Sequence, residues 1–141
     1  MSPKNLNVLK KTHKFLLNKL KDRRAHIIYQ KFERELALNK NFIVAVSGGP
    51  DSLALSFLSK IYSIKKSLDV KYFIVDHKLR KNSTIEAKYV QKKLKNFSIK
   101  LNILAWKGFK PNKNIQSIAR EKRYELLCDR AKKHRIETIL V

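Results

Sequence analysis

Three segments combine residue types that could perform chemistry, and the first is a turn that could hold a phosphate. Its residues are Ser47, Gly48, Gly49, Pro50, Asp51 and Ser52. Because glycine has no Cβ, the main chain can close tightly around an anion here. The N–H groups of both glycines, Asp51 and Ser52 can donate to phosphate oxygens, as can the two serine hydroxyls. Pro50 has no N–H, so we expect it to face away from the ligand.

Asp51 is an unusual neighbour for phosphates unless a cation lies between them. Magnesium takes one or two carboxylates together with phosphate oxygens, so we expect Asp51 to bind Mg²⁺. The turn has neither the lysine and spacing of a Walker A loop nor the glycine spacing of GxGxxG. The alternative is structural: Asp51 or Ser52 caps a helix that follows a tight glycine bend.

The second segment, residues 76–80, reads Asp-His-Lys-Leu-Arg and follows an apolar run. A strand there would deliver His77 to the edge of a ligand site, and Arg80 could contact phosphate. The spacing alone leaves open that His77 is a structural histidine.

The third segment lies on a predicted helix and presents Gln116, Arg120, Arg123 and Tyr124 on one face. Their spacings of four, seven and eight residues bring side chains together on a helix. Two guanidinium groups and an aromatic ring suit phosphate binding and base stacking. A basic face that only meets solvent is the alternative.

These segments are positioned by alternating strands and helices. Apolar runs predict strands at residues 42–46, 70–75, 99–105 and 136–141. Helical periodicity follows the turn at 47–52, starts again at Ser83 or Thr84, and runs from an Asn114 cap to about His134. The alternation predicts an α/β fold, a three-layer open parallel sheet with helices on both faces. Ligands bind at the carboxyl ends of such strands, where 47–52 and 76–80 both lie.

Residues 1–40 are expected to form a basic helical extension before a domain at 41–141. Leucines recur at helical spacing from Leu6 to Leu20, and residues 21–24 predict a break. Ile28, Phe32 and Leu36 then step by four, so this face of a second helix should pack on the sheet. The first helix could instead lie on RNA or on another part of the protein.

Charge is the most unusual bulk property. Lys and Arg number 33 against 11 Asp and Glu, which gives a formal net charge of +22. Such a field attracts polyanions, so nucleic acid is the leading partner and an acidic membrane the second. A general compositional drift toward lysine is the alternative.

Cys128 is the only cysteine, which excludes a disulfide framework, and its neighbours predict a small core residue. No run is long enough to span a membrane, and no secretory signal is evident, so we expect a cytoplasmic protein.

The turn at 47–52 resembles SGGxDS, the pyrophosphate loop of the ATP pyrophosphatase (PP-loop) superfamily. Together with VDHKLR at 75–80 and AREKRY at 119–124, it is similar to one family within that superfamily, tRNA(Ile)-lysidine synthase. That family carries SGGPDS followed by LAL, then (V/H)DHxLR, then an AR..RY helix. The resemblance covers residues 42–141, and the ordered triple is far more specific than any single motif.

The resemblance implies that ATP adenylates C2 of the wobble cytidine in a tRNA(Ile) with a CAU anticodon, after which the ε-amine of free lysine displaces AMP. It implies that residues 47–52 hold ATP, with Asp51 toward Mg²⁺. Asp51, His77 and Arg120 become candidate catalytic residues and Arg80 a nucleotide contact. Arg120, Arg123 and Tyr124 become candidate RNA contacts.

One feature of the family pattern is missing. The fourth strand should run into a segment resembling HxxDDQxET, yet the sequence stops at Val141, and later tRNA-binding domains are absent too. We therefore expect an N-terminal fragment that binds ATP weakly and makes no lysidine alone. A tRNA cytidine thiolase is the nearest alternative, although it would need paired cysteines. A non-catalytic nucleotide- or RNA-binding fragment is the other.

Overall fold

The computed structural model describes residues 2–141 and contains a four-stranded parallel sheet with helices on both faces. In chain order the elements are α1 (Pro3–Asn18), a 3-10 turn (Lys19–Lys21), α2 (Arg23–Leu36), β1 (Phe42–Val46), α3 (Pro50–Lys66), β2 (Val70–Asp76), α4 (Ser83–Lys95), β3 (Leu101–Ala105), α5 (Ile115–His134) and β4 (Ile139–Leu140).

The strand order is β3-β2-β1-β4, with every neighbouring pair parallel. The connections through α3 and α4 both step in one direction, from β1 to β2 to β3. The connection through α5 returns past β1 to β4, so the right-handed crossover rule places α5 on the opposite face. The strand order therefore reverses beside β1, and its carboxyl end is the expected ligand position in such sheets. The predicted three-layer α/β fold is confirmed.

Each face of the sheet has its own core, and β1 contributes to both. Its five residues are all buried. Phe42, Val44 and Val46 belong to the larger core, shared with α1 to α4, whereas Ile43 and Ala45 belong to the smaller core under α5. This alternation is the two-residue period of a strand covered on both faces.

The N-terminal helices join the larger core. Leu16 of α1 and Tyr29 of α2 are buried in it, and Asp22 caps α2 by accepting the N–H of Ala25 at 2.9 Å. The predicted break before α2 is confirmed. The predicted apolar face is confirmed at Phe32 and Leu36, which pack against the larger core, and wrong at Ile28, which is 57% exposed while its neighbour Tyr29 is 1% exposed. The proposed boundary between residues 40 and 41 stays a prediction.

Three smaller predictions also need correction. The third strand begins at Leu101, two residues later than expected, and the fourth contains only residues 139–140. Cys128 is exposed rather than part of the core. No helix among residues 2–141 is long and apolar enough to cross a membrane.

Candidate nucleotide site

The turn after β1 is closed by the side chain of Ser52. Gly49 is the N-cap of α3, Pro50 occupies its first position, and Gly48 has a φ of 88°. The Ser52 hydroxyl accepts the N–H groups of Ser47 and Gly48, both at 3.1 Å, and donates to the carbonyl of Gly49 at 3.0 Å. All three bonds lie within the turn, so its shape is fixed without a ligand.

This closure changes which donors face an anion. The Gly48 N–H and the Ser52 hydroxyl, both expected to donate to phosphate, are instead bonded to groups of the turn itself. The first N–H groups of a helix have no intrahelical acceptor. The N–H groups of Asp51 and Ser52, in the first turn of α3, are therefore the donors oriented for an anion, and the helix dipole reinforces them.

Gly48 packs directly against α4. A Cβ built at this position would lie 3.1 Å from Cγ2 of Val90, and the positive φ already disfavours any side chain. Because an added Cβ would crowd the Val90 side chain, only glycine allows the turn to approach the helix that forms the opposite wall of the cleft.

The carboxyl end of β2 is organised by Asp76, which the sequence reasoning did not single out. Its side chain is buried, at 3% exposure. It accepts the hydroxyls of Ser83 at 2.7 Å and Thr84 at 2.6 Å and the N–H of Lys78 at 3.0 Å. The serine and threonine predicted to cap α4 therefore lie inside its first turn and bond to Asp76 instead. An acidic residue ending an apolar strand, followed by a Ser-Thr pair, was the available signal.

The hydrogen bonds of Asp76 outweigh its burial. Burial alone would raise the pKa of this carboxyl, but the bonds from Thr84, Ser83 and the Lys78 N–H lower it below its usual value. Asp76 is thus a charged structural residue that ties the 76–80 segment to α4.

His77 lies next in the chain, half-buried against the edge of Trp106, with ring centroids 6.2 Å apart. Burial, followed by the charge of Arg123, lowers the pKa of His77 below its ordinary 6.5, while Asp76 opposes the shift. The imidazole is therefore neutral at pH 7. Its Nδ1 atom is buried without a hydrogen-bond partner among residues 2–141, so the ring would have to turn before a ligand could bond to this nitrogen.

One cleft of about 590 Å³ brings the three predicted segments together. It lies between the carboxyl ends of β1 and β2, α4 and α5, and its size is typical of small-molecule sites. The lining residues that come from these three segments include Ser47, Gly48, Asp76, His77, Arg80 and Arg123. Arg80 also forms an ion pair with Glu86 at 3.0 Å, which places opposite charges together at the mouth.

The remaining predicted residues lie outside this lining. Arg120 is exposed, with its guanidinium 5.5 Å from the ring centroid of Tyr124. Arg123, three residues further along α5, is the guanidinium that reaches the cleft. Asp51 and Pro50 are exposed in the first turn of α3. The catalytic roles proposed for Asp51, His77 and Arg120 stay predictions.

The residues present fit a nucleoside triphosphate better than they fit a preformed metal centre. The N-terminus of α3 and the guanidinium of Arg123 can bind a phosphate chain. Gly48 lets the turn lie close to Val90, and the cleft beside it is large enough for a nucleotide. Among residues 2–141, no three His, Cys, Asp or Glu side chains form a cluster that could hold a metal. Asp51 alone could supply one carboxylate, which agrees with Mg²⁺ held mainly by phosphate oxygens and water.

Comparison with known families agrees with this geometry. The model of the PP-loop domain family matches residues 18–141, which is most of the chain. The chain therefore belongs to the PP-loop domain family, and membership implies the use of ATP.

Its curated relatives include several tRNA(Ile)-lysidine synthases. The chain is 39% identical to that of Rhodopseudomonas palustris over 92 residues, covering 64% of this chain and 27% of the relative. It is 42% identical to that of Bartonella henselae over 96 residues, covering 67% and 20%. For Rickettsia bellii the identity is 32% over 121 residues, covering 81% and 28%. The match thus spans about a quarter of the length of these relatives.

Proposed function

We propose that the chain is the ATP-binding part of a tRNA(Ile)-lysidine synthase. In this reaction the C2 oxygen of the wobble cytidine, in a tRNA(Ile) with a CAU anticodon, attacks the α-phosphorus of ATP and pyrophosphate leaves. The ε-amine of free L-lysine then attacks C2 and AMP leaves with the oxygen. The observation that carries the proposal is the convergence of Gly48, His77 and Arg123, one from each segment, on a single cleft.

The chemical reason for adenylation is the poor leaving ability of the cytidine oxygen. Attached to AMP, that oxygen departs with a stabilised phosphate, so an amine can replace it. The protein's contribution is to hold the α-phosphate and the base in line and to stabilise the charge that develops on phosphate oxygens.

Each wall of the cleft has a separate role in this proposal. The turn at 47–52 holds the phosphates, with the Asp51 and Ser52 N–H groups as donors. Arg123 binds the α-phosphate or the cytidine, and Arg80 contacts the nucleotide once its ion pair with Glu86 opens. Neutral His77 would offer its unpartnered Nδ1 to a ribose hydroxyl or the cytidine edge once a turn of the ring uncovers this buried atom.

Asp51 and the RNA-facing residues complete the assignment. Asp51 would hold Mg²⁺, which neutralises phosphate charge when bound. Arg120 and Tyr124 contact each other on the exposed side of α5, beside the cleft residue Arg123, and in this proposal they would stack on and pair with the anticodon loop. Arg120 thus has an RNA-binding role in this proposal in addition to the catalytic role that the sequence suggested.

Two matched arginine variants test this arrangement. Arg123→Gln should weaken ATP binding about tenfold or more, because it removes a charged hydrogen-bond donor from the cleft. Arg120→Gln removes the same charge three residues away. It should leave ATP binding unchanged and weaken the binding of an anticodon stem-loop that carries CAU. Isothermal titration with ATP and fluorescence anisotropy with the stem-loop measure the two affinities. Equal effects of both variants on ATP binding would contradict the site.

The reaction itself is tested with labelled lysine. The chain, ATP, lysine and the tRNA(Ile) transcript are incubated, and incorporation is compared with a transcript whose wobble cytidine is replaced by uridine. Residues 1–141 alone are expected to give no lysidine, as argued from the sequence. Incorporation that depends on the cytidine would establish the activity and refute that expectation. ATP–pyrophosphate exchange stimulated equally by both transcripts would contradict the proposed substrate.

A further inference from the structure

We propose that the edge of the sheet formed by β3 is a second, separate RNA-binding surface that contacts the phosphate backbone. This surface, called the basic edge below, consists of Lys88, Lys92, Lys95, Lys100, Lys71 and Arg130. Lys71 and Lys100, at the starts of β2 and β3, lie at the end of the sheet opposite the cleft, and the seven residues of β2 from Val70 to Asp76 separate them from it by about 20 Å. Lys88 lies nearer, because its neighbours Ala87 and Tyr89 line the cleft.

Two grooves meet at this edge, one on each face of the sheet. The groove beside α4 measures about 670 Å³ and the groove beside α5 about 420 Å³. Lys100 and Asn102, at the start of the edge strand, line both grooves. A ligand in either groove therefore contacts the same lysine, and an extended ligand can occupy both by passing over the strand edge.

The charges converge from four elements of the fold. Three lysines of α4, at positions 88, 92 and 95, recur at spacings of four and seven residues, which places them on one helix face. Lys100 joins them from the turn before β3. Lys71 of β2 and Arg130 of α5 approach from the other face of the sheet.

Almost nothing in the protein neutralises these charges. The groove beside α4 has no acidic lining residue. The groove beside α5 has one, Asp69, which pairs with Lys71 at 2.9 Å. The other five cations form no ion pair within residues 2–141. Nucleic acid carries condensed counterions, and each phosphate that one of these cations neutralises releases counterions, so binding gains entropy.

The chemistry favours RNA over an acidic peptide. A peptide would bind an exposed strand edge by adding a strand, which needs free main-chain groups. Here the side-chain amide of Gln91 donates to the carbonyl of Leu101 at 2.7 Å and so occupies an acceptor of the edge strand. Lysines on flexible stems, rather than a hydrogen-bonding edge, are what the surface offers, and point charges of this kind match phosphates.

A pair of charge-matched variants tests the basic edge. Lys92→Gln/Lys95→Gln/Lys100→Gln removes three of its charges. The control, Arg23→Gln/Arg24→Gln/Lys31→Gln, removes three exposed charges from α2, and neither set forms an ion pair within the described residues. Thermal unfolding followed by circular dichroism checks that both variants fold as the parent chain does.

The measurement is fluorescence anisotropy of an unmodified tRNA transcript, without ATP, over a series of salt concentrations. The edge variant should bind at least about tenfold more weakly. The negative slope of log affinity against log salt should become shallower by about 2 to 3, since each of the three lost phosphate contacts accounts for roughly 0.7 to 0.9. The control should keep most of the parent slope.

Two results would overturn the inference. Equal losses in the edge variant and the control would mean that only net charge matters. Unchanged tRNA binding, with lost binding of poly-L-glutamate, would mean that the edge takes an acidic peptide. The inference does not depend on the proposed reaction, because the assay contains no ATP and every substituted residue lies outside the cleft.

Discussion

Replacement of Gly48 by alanine tests whether the turn and α4 must approach as closely as the structure shows. Two costs apply to Gly48→Ala. At a φ of 88° an alanine is strained by roughly 1–3 kcal/mol. Its Cβ would also meet Cγ2 of Val90 at 3.1 Å, and overpacking a core position costs about 1–3 kcal/mol. The side chain of Val90 is β-branched and buried, so it has little freedom to move away.

We expect Gly48→Ala to lower the free energy of unfolding by about 3 kcal/mol. Gly108→Ala is the matched control, because Gly108 has a similar φ of 97° with no heavy atom within 4 Å of its Cβ position. It carries the strain without the contact and should cost about 1–2 kcal/mol. Urea denaturation gives both values.

A double-mutant cycle separates strain from packing. Val90→Ala removes the methyl groups that the new Cβ would meet. The variant Gly48→Ala/Val90→Ala should therefore be less destabilised than the sum of its two single variants, by about 1 kcal/mol. ATP affinity should fall in the Gly48 variants and remain unchanged in Gly108→Ala. An additive cycle, or equal costs at the two glycines, would refute the close approach as the reason for glycine at position 48.

Two further predictions concern the side chains that hold the strand ends. Asp76→Asn should cost about 2–4 kcal/mol at pH 7, because a buried acceptor of two hydroxyls and one N–H loses its charge. Because the folded state lowers the pKa of Asp76, its contribution is present above the unfolded pKa near 4 and is lost as the pH falls through the lower folded value. Urea denaturation should therefore show the parent losing more stability than Asp76→Asn between about pH 5 and pH 3, and parallel losses would contradict this assignment. Ser52→Ala should cost about 1–2 kcal/mol, since three hydrogen bonds within the turn are lost, whereas Ser117→Ala on the exposed side of α5 should be neutral; if both are neutral, the hydroxyl does not hold the turn.

The alternation of apolar runs was enough to predict the sheet, because β1 is buried on both faces and its residues are all apolar. The turn at 47–52 was also predictable from local sequence, since glycine frees the main chain and proline restricts it. The length of β4 was not, because Ile136 packs into the smaller core without pairing as a strand. Local pattern does not distinguish these two forms of burial.

The orientation of helical side chains was the main source of error. Ile28 and Tyr29 are adjacent, so their side chains point about 100° apart, and only one can face the core. Leu127 and Cys128 repeat this on α5, where the leucine is buried and the cysteine exposed. When two adjacent helical residues are both apolar, apolar periodicity predicts the buried face of the helix only to within one residue.

The two arginines of α5 also differ in orientation. Residues 120 and 123 are three positions apart, about 60° around the helix, so a helical projection groups them on one face. Arg123 lines the cleft, whereas Arg120 lies outside that lining with its guanidinium over the ring of Tyr124. Which of two neighbouring cations reaches a ligand depends on the tertiary position of the helix, which the sequence pattern does not contain.

The two strand ends are stabilised in different ways, and the difference determines the charge of the cleft. After β1 a neutral hydroxyl, that of Ser52, closes the turn, so the positive end of the α3 dipole is left available for an anion. After β2 a carboxylate, that of Asp76, performs the same task, but it is buried and bonded to three donors. These three donors partly offset its charge, although Asp76 lines the cleft. A carboxylate in place of Ser52, or an unburied one at position 76, would add to the exposed negative charge of Asp51 and repel a phosphate chain.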